Sequence, residues 1–187
     1  NKEKDTVLFI DPGFPVHKFQ TKILVLKMES FDIYEYRGEK LREKLESIFS
    51  TGKIHSVLYS NPNNPTWVCL TDEELKIIGE LANKYDVIIL EDLAYFGMDF
   101  RKDYSHPGVA PFQPTVGKYT DNYILMLSTS KAFSYAGERC AVLGISNKLA
   151  ERRYPDLKEF CGQEIFARGI IFGALHPLSS GTSHSAQ

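Results

Sequence analysis

Ser128-Thr129-Ser130-Lys131-Ala132-Phe133-Ser134-Tyr135-Ala136-Gly137-Glu138-Arg139 lies between two apolar runs. Tyr123-Ile124-Leu125-Met126-Leu127 precedes it and Cys140-Ala141-Val142-Leu143-Gly144-Ile145 follows it. Both runs read as buried strands. The segment thus carries a lysine off the end of a strand and sets it among hydroxyls. Such a lysine is either solvated punctuation after a Ser/Thr turn or a nucleophile. A desolvated lysine near a second cation loses its proton more readily, and the neutral amine attacks a carbonyl to form a Schiff base. Arg139, eight positions on, is a candidate for that cation and, with Ser128, for holding a phosphate.

Outward from this segment, strand and helix signals alternate. A strand at residues 7–10 ends in the loop Asp11-Pro12-Gly13-Phe14-Pro15, stiffened by its prolines. The spacing of Phe19, Ile23, Leu24 and Leu26 predicts a helix over 16–28, and alternation predicts a half-buried strand over 31–36. Leu41, Leu45, Ile48 and Phe49 mark one face of a helix over 39–49. A strand at 56–59 runs into Ser60-Asn61-Pro62-Asn63-Asn64-Pro65-Thr66-Trp67. Thr71-Asp72-Glu73-Glu74 is a capping box that opens a helix to about residue 85. Val87-Ile88-Ile89-Leu90 is a buried strand, and a long loop covers 92–122. Beyond residue 145, Asn147 is expected to cap a helix that Pro155 interrupts, and a second helical segment is expected over 163–175.

This rhythm predicts an α/β fold with a mainly parallel sheet flanked by helices. Such sheets bind ligands beyond the carboxyl ends of their strands. The polar loops at 11–15, 61–67, 92–97 and 128–131 all fall at that edge.

A chain of 187 residues, 43% apolar and 25% charged, is long enough for one domain with a substantial core. A net charge of -2 argues against a nucleic-acid platform or a basic membrane-surface module. No apolar run is long enough to span a bilayer and no signal-peptide pattern opens the chain. Cys69, Cys140 and Cys161 are scattered and read as reduced core thiols of a cytoplasmic protein. The five histidines lack ligand spacing, so no metal site is expected. Both ends look cut, so the chain is expected to be an internal piece of a longer protein.

Five further residues are candidates for chemistry. Asp92 ends a buried strand and either caps a turn or pairs with a cationic ring nitrogen, keeping it protonated and electron-withdrawing. Tyr95 is either an aromatic rim residue or a donor to a phenolate oxygen on the same ring. Asn64 is a turn residue or a fixed amide donor. Phe14 packs in the core or stacks on a flat ring. His17 is structural or supports Asp92 from behind.

Taken together, Ser60-Asn61-Pro62-Asn63-Asn64-Pro65-Thr66, Glu91-Asp92-Leu93-Ala94-Tyr95 and Ser128-Thr129-Ser130-Lys131 with Arg139 resemble the pyridoxal-phosphate-dependent aminotransferases of classes I and II, the aspartate aminotransferase superfamily. Order and spacing match from residue 11 to residue 145, and the 11–18 loop is similar to the family loop that lays an aromatic ring over the cofactor. The resemblance implies that pyridoxal 5'-phosphate is bound by the central part of a large cofactor-binding domain. Lys131 would form the Schiff base and act as general base and acid in the proton shift. Asp92 would pair with the pyridine nitrogen, and Tyr95 and Asn64 would hydrogen-bond the phenolic oxygen. Ser128, Ser130 and Arg139 would bind the phosphate, Phe14 would stack on the ring, and His17 would support Asp92. The resemblance also implies an amino acid and a 2-oxo acid (2-oxoglutarate) as substrates, and a homodimer when intact. The serine-rich tail at 179–185 would reach toward a neighbouring subunit.

The sequence departs from the family pattern in places. Trp67 stands where a glycine is usual, Ala141 where a glycine is frequent, and Phe14 where tryptophan or tyrosine is common. The family's upstream phosphate loop and its small domain are expected to lie outside this chain, which alone should not complete transamination. A lyase or decarboxylase on the same scaffold would keep Lys131, Asp92 and Tyr95, and a non-catalytic cofactor-binding regulator is a further alternative. Ser128-x-x-Lys131 also matches the serine acyl-transfer motif, but its Ser-Asp-Asn and Lys-Thr-Gly partners are absent from the sequence.

Overall fold

Six strands pair side by side: β1 (Thr6–Asp11), β2 (Lys27–Asp32), β3 (Ile54–Ser60), β4 (Ile88–Leu93), β5 (Tyr123–Ser128) and β6 (Ala141–Ile145). Their order across the sheet is β2-β1-β3-β4-β5-β6. Neighbours from β2 to β5 run parallel, and β6 is antiparallel to β5. The computed structural model describes residues 3–104, 106, 108–154 and 165–166. Two compact units divide the chain, one ending at Ile145 and the other starting at Ser146.

Three helices of eight residues or more stand among the described residues: α1 (Pro15–Ile23), α2 (Glu39–Phe49) and α3 (Asp72–Tyr85). The core joins α2 and α3 to one face of the sheet. Leu41, Leu45 and Phe49 of α2, and Leu75, Ile78 and Leu81 of α3, pack with Leu8, Ile10, Val57 and Ile89. Each such fully buried side chain contributes roughly 1.5–3 kcal/mol relative to exposure. The capping box opens α3 as expected: Glu74 N donates to Thr71 Oγ1 at 3.1 Å, and Thr71 N donates to Glu74 Oε2 at 2.9 Å. The same carboxylate accepts from Arg37 and from Gly38 N, which ties the start of α3 to the start of α2. Further along, α3 comes so close to the loop before β5 that a Cβ on Gly79 would lie 2.5 Å from Tyr119 Cβ.

Several sequence expectations need correction. The helix expected over 16–28 stops at Ile23, because the backbone turns through Val25 at φ 57°. The amides of Leu24, Val25 and Leu26 bond back to Gln20, Lys22 and Thr21. The next strand accordingly runs over Lys27–Asp32, before the alternating segment, and Ile33–Tyr36 is a 3-10 turn whose Tyr34 amide is capped by Asp32. Most side chains of β2 are exposed, so no buried alternation marks this edge strand. Neither β5 nor β6, both expected to be buried, is so: β5 is half-buried throughout and much of β6 is exposed, because α2 and α3 lie over the β1, β3 and β4 side. Cys140, read as a core thiol, is exposed, and Cys69 is half-buried; Cys161 lies outside the described residues.

In the second unit Ser146, not Asn147, is the cap: its hydroxyl accepts from Leu149 N at the start of the short helix Asn147–Ala150. Residues 165–166, expected to be helical, instead form a strand paired antiparallel with Arg153–Tyr154. The rest of the helix expected over 163–175, and the tail at 179–185, lie outside the described residues. Among the described residues no helix is long and apolar enough to cross a membrane.

Candidate active site

Parallel register sets Asp92 of β4 beside Ser60 of β3 and Met126 of β5. Side chains alternate along each strand. Ser60, Asp92, Met126 and Ser128 therefore share one face at the carboxyl edge, while Tyr59, Glu91, Leu125 and Leu127 share the other.

Helix α1 meets the Asp92 face. His17 Nε2 lies 3.4 Å from Asp92 Oδ2, and Ala94 N donates to Asp92 Oδ1 at 2.9 Å. Burial raises the Asp92 carboxyl above its ordinary range; the Ala94 amide and the neighbouring imidazole oppose that rise without cancelling it. Phe14, just before α1, meets the His17 ring edge-on, with centroids 5.7 Å apart. A small hollow lined by Asp11, Phe14, His17 and Ser60 adjoins the pair.

The Asn64 loop is anchored from within. Asn63 Nδ2 donates to Pro12 O at 2.8 Å, Asn63 Oδ1 accepts from Thr66 Oγ1 at 2.8 Å, and Ser60 Oγ accepts from Asn64 N at 3.2 Å. These bonds lock the loop to the β1–α1 connection. Tyr95 sits in a tight turn after β4, where Phe96 N reaches Leu93 O at 2.9 Å. The Tyr95 ring meets Trp67 edge-on at 5.4 Å.

Lys131 comes from a single helical turn, Thr129–Ala132, that starts where β5 ends. Ser128 Oγ caps this turn by accepting from Ser130 N at 3.1 Å, and Thr129 Oγ1 donates to Cys140 O at 2.9 Å. Lys131 is exposed. Arg139 is exposed as well, held in a left-handed conformation at φ 54°, with Nη1 donating to Ala136 O. Direct contacts thus join Phe14, His17 and Asp92, and anchor the Asn64 and Tyr95 loops beside them. Ser128, Ser130, Lys131 and Arg139 reach the same edge through the β4–β5 register rather than through contact with Asp92.

Sequence reading missed the support behind this edge. Glu91 is fully buried on the opposite face; Asn61 Nδ2 donates to its Oε1 at 3.1 Å and Val116 N to its Oε2 at 2.9 Å. Asn61 also accepts from Leu70 N and donates its amide to Asp92 O. Gln113 bridges Asn61 O and Gly97 N. One buried network therefore braces the loops of both Asn64 and Tyr95. The acid beside Asp92 was the available signal, since a strand sends neighbours to opposite faces.

The profile of the aminotransferase class I and II family matches residues 1–172. The chain belongs to that family. It is 28% identical over 145 residues to a probable aspartate aminotransferase of Methanocaldococcus jannaschii, covering 78% of this chain and 36% of the relative. It is 29% identical over 147 residues to a glutamate-pyruvate aminotransferase of Escherichia coli, covering 77% and 34%. A cystathionine beta-lyase of Corynebacterium glutamicum is 26% identical over 161 residues, covering 86% and 41%. The chain thus spans between about a third and two fifths of these relatives. Among solved structures, an aminotransferase from Mycobacterium tuberculosis shares the fold at TM-score 0.61 and 23% identity, over 78% of this chain and 35% of that one. The mainly parallel six-stranded sheet with flanking helices is accordingly the fold of this aminotransferase family.

Proposed function

We propose that the protein is a pyridoxal-phosphate-dependent aminotransferase that moves an amino group between an amino acid and a 2-oxo acid, with 2-oxoglutarate as the acceptor. The reading rests on one arrangement: a carboxylate backed by an imidazole, and a lysine one parallel strand away at the same sheet edge. The donor set fits pyridoxal phosphate. Lys131 offers an exposed primary amine to an aldehyde, Asp92 a carboxylate to a ring nitrogen, and Ser128, Ser130 and Arg139 offer hydroxyls and a guanidinium to a phosphate. When bound, that cofactor withdraws electrons from the substrate's α-carbon.

The chain's own residues do the rest. Asp92, held by Ala94 N and His17, would keep a ring nitrogen protonated; Asn64 and Tyr95 would donate to a ring oxygen, and Phe14 would cover a ring face. Lys131 Nζ would take the proton from the substrate α-carbon as general base and then, as general acid, complete the 1,3-proton shift that transamination requires. Residues 1–187 form the central part of a larger cofactor-binding domain in this reading, which also takes the intact protein to be a cytoplasmic homodimer. The cystathionine beta-lyase relative supports a second reading, elimination on the same residues.

The test is addition of pyridoxal phosphate to the full-length protein, followed by borohydride reduction and mass spectrometry. A visible absorbance band and a covalent adduct on Lys131 are expected. The same adduct in a Lys131→Ala protein, on another residue, would overturn the assignment.

A further inference from the structure

Trp67 stands at φ 60°, in the left-handed region that is unfavourable for a bulky side chain. Its indole is 41% exposed, so burial in the core does not offset that strain. The side chain is nonetheless tightly placed. Trp67 N donates to Asn63 O at 2.9 Å, and Asn63 is itself anchored on Pro12 O. The indole stacks on Phe100, with ring centroids 6.0 Å apart and planes 12° from parallel. Phe100 is 80% exposed, yet its chain is clamped from both sides: the buried Asp99 holds the Arg101 guanidinium, which donates to Leu70 O at 3.0 Å and to Cys69 O at 3.3 Å. Two exposed rings are therefore fixed to one loop, and the nearer meets Tyr95 edge-on.

Strained backbone kept at an exposed position, and apolar surface held rigid in water, both mark sites that bind something. A fixed, flat, apolar surface favours a flat, apolar partner, because stacked and edge-on ring contacts add to the area buried. The surface adjoins Tyr95 and shares its loop with Asn64, two residues that hold the cofactor ring in the reading above, next to which the substrate must lie. From this geometry we infer that Trp67 is a specificity-determining residue: with Phe100 it forms an aromatic wall that receives the side chain of an aromatic amino acid. The inference rests on the aminotransferase reading for the identity of the substrate.

The experiment uses the full-length protein loaded with pyridoxal phosphate and its Trp67→Gly variant. Glycine adopts φ 60° without strain, so the loop should keep its path. The ratio of kcat/KM for phenylalanine to kcat/KM for aspartate should fall at least about tenfold in the variant. Phe100→Ala should lower the same ratio by less. A binding readout independent of turnover comes from the indole itself. 3-Phenylpropanoate, an unreactive aromatic acid, should quench the part of the fluorescence that Trp67→Gly lacks, and succinate should not. Labelling at Lys131 with an unchanged substrate ratio, or with no difference between the two acids, would overturn the aromatic wall and leave the aminotransferase reading standing. Selective quenching by the aromatic acid without labelling at Lys131 would support the wall and remove the aminotransferase reading.

Discussion

Glu91 and Asp92 are consecutive on β4 yet occupy opposite faces of the sheet. Glu91 is sealed against Asn61 and the Val116 amide, while Asp92 meets His17 at the carboxyl edge. Both carboxyls are raised by burial, Glu91 to about 7. The two acids nevertheless have separate tasks in the proposed enzyme. One braces the loops from behind, and the other faces the ligand.

For Asp92 the decisive neighbour is the imidazole. His17 opposes the upward push of burial, so removing it should raise the Asp92 carboxyl further. In His17→Phe the acid limb of the kcat/KM profile should therefore move to higher pH. A profile that falls in amplitude without moving would show that His17 acts on packing alone.

Replacing the carboxylate itself should be more severe. Asp92→Asn keeps the shape but leaves no charge to hold a ring nitrogen protonated. Loss of one preorganised electrostatic partner lowers kcat on the order of 10²-fold, measured in steady-state transamination by the full-length protein.

Glu91 predicts how stability depends on pH. Its folded-state value lies above the ordinary 4.5. Between about 4.5 and 7 the folded chain thus keeps a proton that the unfolded chain has released, and the unfolding free energy falls as pH rises through that window. The gap corresponds to roughly 3 kcal/mol. Asp92 adds a slope of the same sign, so the informative quantity is the difference between the parent and Glu91→Gln. Denaturant titrations at pH 5 and pH 8 should show a smaller pH effect in the variant.

Arg139 is already in a left-handed conformation, so Arg139→Gly should leave the backbone path intact. A hydrogen bond to a charged group contributes about 1.5–3 kcal/mol. Pyridoxal phosphate should accordingly bind roughly 10- to 100-fold more weakly to the variant, as read by titration of the absorbance band.

Gly79→Ala tests the packing of α3. The added methyl would meet Tyr119 Cβ at 2.5 Å and its backbone at 3.1 Å. Overpacking of this kind destabilises by about 1–3 kcal/mol, which exceeds the roughly 1 kcal/mol of helix propensity that alanine adds. A lower Tm is expected.

Where signals are local, the sequence by itself determined the outcome. The capping box at Thr71 and Glu74, the apolar face of Leu41, Leu45 and Phe49, and the apolar runs of β3, β4 and β5 depend on neighbours a few residues away, and each forms the expected element, β5 half-buried rather than buried. The order of the polar loops along the carboxyl edge follows from the strand–helix rhythm for the same reason. Tertiary structure alone decided the rest. The early end of α1 at Ile23 and the start of β2 at Lys27 depend on pairing with β1, which sequence periodicity does not encode. The contact of His17 with Asp92, the network behind Glu91 and the pinned ring of Trp67 each join residues far apart in the chain. Register between strands sets which of these meet, and a shift of one residue would exchange the faces of Glu91 and Asp92.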